Sequence, residues 1–239
     1  IFSRGRHWRI CPDMPPDRNI EQKRIPTEFT RFRLPWAFEA SDVRRQLRIQ
    51  TVGRHQLDSF QEEMERAILL ASLFLKQLIV LELKRSGQLV RRIERVEEGN
   101  QILLDDGDRM IEWRILRGDF SDKAETLRSE YKYQIEKKRQ SSVTLAIPDT
   151  PLQDGTLFAV LPTETTVPLP FHINADFYPS PDRKRILFDQ DYQSEWNRAA
   201  VYAAARALAS NFDKLPDLLG HKGLWRLLER LNECRRQVE

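Results

Sequence analysis

The stretch LIVLELKRSGQLVRRIERVEEGNQILLDDGDRMIEWRILRG, residues 78–118, decides the fold. Short apolar or alternating runs are separated in it by Ser86-Gly87, Glu98-Gly99-Asn100 and Asp105-Asp106-Gly107-Asp108. A period of two places successive side chains on opposite faces of a strand. Glycine supplies the positive φ that a tight hairpin requires, most plainly at Asp106-Gly107. The expectation is a meander of three or four strands.

Helices flank this meander. Upstream, Leu57, Phe60, Met64, Ala67, Ile68, Ala71, Phe74 and Leu75 recur at three- and four-residue steps, which predicts a helix over 56–77 with one buried face. Ser59 and Glu62 have the spacing of a capping box near its start. Downstream, Phe120, Ala124, Leu127, Tyr131 and Ile135 predict a second helix within 119–139. Strands follow at SVTLAIP (142–148), GTLFAVLPT (155–163) and FHINADFY (171–178). Over 191–212, Trp196, Ala199, Ala200, Ala203 and Ala207 form a small-residue face suited to close packing, and GLWRLLERLNECRRQV continues as an amphipathic helix whose leucine stripe reads as core, with a partner-binding seam as the alternative. Strands mixed with helices that cover one face of the sheet make the fold class α+β.

Residues 1–26, with Pro12, Pro15, Pro16 and Pro26, read as a linker, and EFTRFRLPW (28–36) as a short strand stopped by Pro35. A boundary is expected near residue 40. Three parts follow: 1–40 as linker and strand, 41–190 as the α/β body and 191–239 as a helical extension.

Composition narrows the classes. The 239 residues, 40% hydrophobic and 31% charged, suffice for a real core and exclude a disordered or fibrous chain. The longest apolar run, AILLASLFL at 67–75, is far shorter than a membrane span. The amino end does not resemble a signal peptide and does not begin with Met, which suggests a piece of something longer. Cys11 and Cys234 stand far apart, and His7, His55, His172 and His221 are dispersed, so neither a disulfide framework nor a zinc site is indicated and a cytoplasmic home is expected.

Net charge is +3, but residues 1–54 hold twelve Lys and Arg against six Asp and Glu. Such a face can attract nucleic acid through counterion release. Arg44, Arg45, Arg48 and Arg54, with the Arg235-Arg236 tail, are the candidate phosphate contacts of that reading.

Signatures of common enzymes are missing: no GxxxxGK[ST], GxGxxG, GxSxG or HExxH occurs. The pairs Asp105-Asp106 and Asp189-Asp191 read as turn formers and helix starters. The more informative cluster is Asp182-Arg183-Lys184-Arg185. The strand before it would turn Phe171, Ile173, Ala175 and Phe177 to the core, and His172, Asn174, Asp176 and Tyr178 away from it. A buried strand thus delivers a basic turn to a fixed place. Guanidinium and ammonium groups suit phosphate oxygens, and an ordinary solvated turn is the alternative.

GTLFAVLPTETTVPLPFHINADFYPSPDRKRI, followed by EWNRAAV, resembles a segment of sacsin-type proteins in the GHKL ATPase superfamily, which includes the ninety-kilodalton heat-shock chaperones. The family pattern F-x-x-L-P, then H-[IV]-N-x-x-F-x-x-[ST]-x-[ND]-R, then W-N falls on Phe158, Leu161, Pro162, His172, Ile173, Asn174, Phe177, Ser180, Asp182, Arg183, Trp196 and Asn197. EFTRFRLPW resembles the closing strand of the family's ATPase domain, and FLKQL (74–78) the junction into the next domain.

The resemblance implies the end of an ATPase domain followed by a transducer, or middle, domain with a ribosomal-protein-like fold. Arg183 takes the family Arg position and Lys184 the basic position after it. Asp182 stands where Asn is common, and Arg185 adds a charge the pattern does not require. Arg183 and Lys184 are the expected catalytic residues, and Arg183, Lys184 and Arg185 the expected phosphate contacts. ATP and Mg are the implied cofactors, held mainly by a preceding domain whose motifs have no counterpart in residues 1–239. The implied partners are that ATPase domain, a second copy in a homodimer, and a client protein. A DNA-clamping relative, MutL-like or MORC-like, is the alternative, and no membrane partner is expected.

Overall fold

The computed structural model describes residues 2–3, 6–7, 38–48, 50–189 and 191–238; most of the expected linker, the expected strand at 28–36 and Cys11 lie outside them, as do the side chains of residues 2–3, 6–7, 43–44 and 235–238. The chain forms two compact units, residues 1–63 and 64–239.

In the first unit the two-residue strands β1 (Phe2–Ser3) and β2 (Arg6–His7) pair antiparallel, and a short helix α1 spans Asp42–Gln46. Helix α2 spans Arg54–Ser72. It starts five residues before Ser59, because Gln56 closes its first turn: the Gly53 amide donates to Gln56 Oε1 at 2.7 Å. The Ser59–Glu62 pair therefore sits inside the helix and does not cap it.

The second unit is built on one eight-stranded sheet. Its first four strands, β3 (Val80–Arg85), β4 (Gln88–Glu98), β5 (Gln101–Asp105) and β6 (Met110–Asp119), form the expected antiparallel meander. The turns follow the expected chemistry: Gly87, Gly99 and Gly107 all have positive φ. Asp105 Oδ1 accepts from Gly107 N, and Asp106 Oδ1 from the amides of Asp108 and Arg109. After α3 (Ser121–Glu130) come β7 (Ser142–Pro148), β8 (Gly155–Ala159), β9 (Leu161–Val167) and β10 (His172–Ala175). The sheet order is β3-β4-β5-β6-β7-β10-β8-β9, and only β10 and β8 run parallel. Helices α4 (Tyr192–Ser210) and α5 (Leu215–Val238) complete an α+β architecture.

Two cores lie on opposite faces of this sheet, rather than one as the sequence suggests. On one face Leu145, Ile147, Leu157, Ile173 and Ala175 pack against α3, α4 and α5. On the other, Ile93, Ile102, Leu104, Trp113 and Phe158 enclose the end of α2 and the residues after it, Ile68, Leu73 and Phe74. Alternation along each strand makes this division: Phe158 belongs to the second core while its neighbours Leu157 and Ala159 belong to the first. Met64, expected on the buried face of α2, is exposed.

The alanine face of α4 packs as expected. Ala199, Ala200, Ala203, Ala204 and Ala207 are buried, and a Cβ added to Gly118 on β6 would lie 2.7 Å from Ala207 Cβ. The leucine stripe of α5 is core: Leu215 and Leu227 are buried, with Leu224 and Leu231 packed beside them. A kink at Gly220, φ 68, bends that helix.

Candidate functional site

The basic turn stands on a hydrogen-bonded frame supplied by the residues around it. Asn197 in the second turn of α4 is fully buried and uses both ends of its amide: Oδ1 accepts from Tyr178 N at 2.7 Å, while Nδ2 donates to Tyr178 O and to Leu187 O, each at 2.9 Å. One side chain therefore closes the loop that runs from 178 to 187. Trp196, equally buried, donates from Nε1 to Asp176 O at 3.0 Å. Asp191 starts α4 by accepting from Ser194 N at 2.8 Å, the role expected of it.

Within the loop, a bridge joins Pro179 to Ile186, and Ser180 N donates to Arg185 O at 2.7 Å. Ser180, buried although it is a serine, donates its hydroxyl to Asp182 Oδ1 at 2.5 Å and accepts from Arg185 N at 3.0 Å. Asp182 Oδ1 also accepts from Lys184 N at 3.1 Å, and Arg183 N donates to Ser180 O at 2.7 Å. The Ser180 hydroxyl and these neighbours hold the Asp182 carboxyl below the usual carboxylate range. The amides of residues 183, 184 and 185 are all used inside the turn, so it offers an anion its side chains but not those three backbone donors.

The loop also covers the outer edge of the sheet. Glu164 N on β9 donates to Lys184 O at 2.6 Å, and Ile186 N to Thr165 Oγ1 at 2.8 Å. This docking is a structural role in its own right, since an uncovered edge strand invites unwanted pairing. It also separates the three cations. Lys184 Nζ is ion-paired with Glu164 Oε1 at 2.9 Å. Arg183, at φ 60, and Arg185 are exposed, and neither guanidinium has a hydrogen bond or ion pair among the described residues; Arg185 feels only the longer-range attraction of Asp182.

His172 and Asn174 face away from the first core, as their alternation predicts, but His172 is buried, not solvated. Its ring lies 5.1 Å from Trp113 and 5.2 Å from Phe158, centroid to centroid, in the second core. His172 Nδ1 accepts from Thr156 N at 2.9 Å, which leaves the proton on Nε2 in the neutral ring. Asn174 Oδ1 accepts from Val160 N at 2.9 Å. Val160, with φ 70, is a β-branched residue in the left-handed region, and this bond holds the sharp turn that splits the expected strand 155–163 into β8 and β9.

Burial lowers the His172 pKa to about 4. From the ordinary value near 6.5 down to about 4, the unfolded chain takes up a proton that the folded one refuses. Stability is therefore complete above pH 6.5 and falls as pH drops through that window, by about 3 kcal/mol in all. Urea midpoints measured from pH 7.5 to 4 should show this slope, and His172→Gln should flatten it; an equal slope in the variant would assign the acid sensitivity to other groups.

A second network, not legible in the sequence, braces the base of the loop. Arg139 Nη1 donates to Asp176 Oδ1 at 2.8 Å and to the carbonyls of Asp176 and Phe177, while its Nε donates to Glu136 at 3.0 Å. The guanidinium lies 3.5 Å from the centre of the Tyr178 ring, and Tyr178 donates its hydroxyl to Glu136 Oε2 at 2.7 Å. Arg139 and Tyr178 together hold the Glu136 carboxyl at about 2, well below its ordinary value.

The candidate phosphate contacts Arg45, Arg48 and Arg54 belong to the first unit. Arg45 is ion-paired with Asp42 in α1, Arg48 has φ 55 after that helix, and Arg54 opens α2. A groove of about 800 Å³ lies elsewhere on the sheet unit, between the first turn of α3 and α4, with Asp122, Lys123, Tyr202 and Arg206 on its walls. Among the described residues no group of three or more His, Cys, Asp or Glu is placed to hold a metal ion, and no helix is long and apolar enough to cross a membrane. Compared with known proteins, the chain matches no family model, no curated protein and no solved structure.

Proposed function

We propose that this chain is the transducer part of a chaperone-like GHKL ATPase, in which Arg183 meets the terminal phosphate of a nucleotide held by a neighbouring domain. What supports the reading is the coincidence of two independent facts. Ser180, Asp182, Trp196 and Asn197, on which the resemblance rests, are the residues whose hydrogen bonds hold the turn in one conformation. The Arg183 side chain at the end of that frame is exposed and unpaired among the described residues.

A guanidinium held this way fits a phosphate contact. Negative charge spreads over the phosphoryl oxygens during transfer, and a positioned cation lowers the barrier without having to reorganise first. The residues do not by themselves fit a nucleotide pocket: the turn keeps its amides of residues 183–185 for itself, and no metal cluster accompanies it among the described residues. Mg and most contacts to ATP belong, in this reading, to the neighbouring domain. The frame would make the sheet respond as one body when Arg183 engages, because Asn197 and Trp196 tie the turn to α4 and Ile186 ties it to β9.

The test is ATP hydrolysis. The chain alone should turn over no ATP. Joined to an ATPase domain in one polypeptide, Arg183→Ala should lower kcat by about 10²–10³-fold while ATP affinity changes little. Hydrolysis by the isolated chain at a rate that Arg183→Ala leaves intact would overturn the assignment.

A further inference from the structure

The three cations of the turn are not equivalent, and their differences assign them different work. Lys184 is turned onto β9, where Glu164 neutralises it and the Glu164 amide holds its carbonyl. Arg183 and Arg185 flank it. The backbone of Arg185 is pinned on both sides, N to the Ser180 hydroxyl and O to the Ser180 amide, so the root of its side chain is as fixed as that of Arg183. Both guanidinium groups are exposed and without an ion pair among the described residues.

We propose that Arg183 and Arg185 form a two-arginine clasp for adjacent phosphoryl groups of a polyphosphate chain, with Lys184 withheld from the anion by Glu164. This deepens the phosphate-sensing reading and rests on it. Two planar forks rooted two residues apart on a fixed turn suit a ligand with several phosphoryl oxygens better than a single phosphate, since each fork takes its own pair of acceptors. Glu164 sets the charge of the site. Lys184 and Glu164 cancel, and Asp182 offsets one of the two arginines, so removing the Glu164 carboxylate adds one full positive charge where a polyanion binds.

Inorganic tripolyphosphate is the probe, titrated into the full chain at low ionic strength and followed by amide chemical shifts of residues 180–186. Orthophosphate serves as the comparison ligand, and melting curves serve as the folding control. Arg183→Ala and Arg185→Ala should each weaken tripolyphosphate binding about tenfold, and Lys184→Ala by less than about twofold. Glu164→Gln should tighten binding and steepen its dependence on salt by about one unit of slope, because one more cation becomes available to the anion.

If Lys184→Ala weakens binding as much as Arg185→Ala, or if Arg185→Ala has no effect while Arg183→Ala does, the clasp is wrong and the sensing role of Arg183 survives. If neither arginine matters, the phosphate-sensing reading fails with it. A wild-type chain that shows no shift with tripolyphosphate, or equal shifts with orthophosphate, would overturn the clasp and leave the hydrolysis test of Arg183 to stand alone.

Discussion

Replacing Asn197 by leucine is expected to lower the stability of the sheet unit by about 4 kcal/mol, enough to reduce its melting temperature by roughly 10 °C. The side chain is fully buried, and its amide serves three backbone groups: Tyr178 N–H, Tyr178 C=O and Leu187 C=O. Leucine has nearly the right volume but no polar atom, so all three would be left without a partner away from water. Each such orphan costs about 1–3 kcal/mol, and the loop can relax part of the way. The effect should be local as well as global. Hydrogen exchange at the Tyr178 amide should accelerate more than at Leu145 or Ile147 in β7, whose partners are untouched. A loss below about 1 kcal/mol would mean that the loop is held by its own turn chemistry and that Asn197 is incidental. The clasp depends on the same frame, so the variant should also blur the difference between Lys184 and its two neighbours.

Much of the sheet was legible because its signals are local. Gly87, Gly99 and Gly107 mark hairpin turns at the chain positions where the strands reverse, and a period of two between them fixes which side chains face which core. The alanines of α4 were legible for a similar reason, since small residues at helical spacing admit a close neighbour, here Gly118.

What escaped the sequence depends on contacts between distant segments. The strand expected at 155–163 has no Gly, Asn or Asp at its point of reversal, yet it reverses at Val160, and the bond that holds it there comes from Asn174. The helix expected to run to 139 ends at Glu130. From the last turn of that helix Arg128 donates to Arg139 O, and Arg139 is drawn to Asp176 and Tyr178 across the fold. Of the face expected to be buried along α2, Ile68 joins the core while Met64 is exposed, since which turn of the helix meets the sheet depends on strands distant in sequence.

The candidate site divides in the same way. Alternation placed the basic turn after a core strand, and that is how the structure builds it. Alternation also sent His172 and Tyr178 outward, whereas both are buried as hydrogen-bonding residues between packed layers. His172 is covered by Trp113 and Phe158, while Tyr178, past the end of β10, joins the first core beside Phe177 and bonds Glu136, so the partners that bury both come from other parts of the chain. The inequality of Lys184 and its arginine neighbours was equally invisible, since it depends on Glu164 from another strand.

The second large effect is expected at Gly155, the first residue of β8. Its Cα faces the chain entering β10 so closely that an added Cβ would lie 1.9 Å from Phe171 O and 3.0 Å from Leu169 O. These are backbone atoms, and no rotamer change can move them aside. Gly155→Ala must push the segment before His172 outward by roughly 1 Å, against a close-packed interior that resists such shifts. The displacement falls on the Thr156 N to His172 Nδ1 bond and on the Leu152 N to Pro170 O bond, which join the same two segments. A loss of about 3 kcal/mol or more is expected, at the upper end of what overpacking costs. Two other glycines set the scale. At Gly118 the obstacle is a side chain on a helix that can shift, Ala207 Cβ at 2.7 Å, and the cost should be smaller, about 1–3 kcal/mol. At Gly107 there is open space, and only the positive φ of 85° opposes alanine, for about 1 kcal/mol. Urea denaturation of the three variants should rank them 155, 118, 107 in decreasing damage. If Gly107→Ala proved the most harmful, turn geometry rather than the approach of β8 to β10 would be the main constraint on this sheet, and the rigid delivery of the basic turn would lose its foundation.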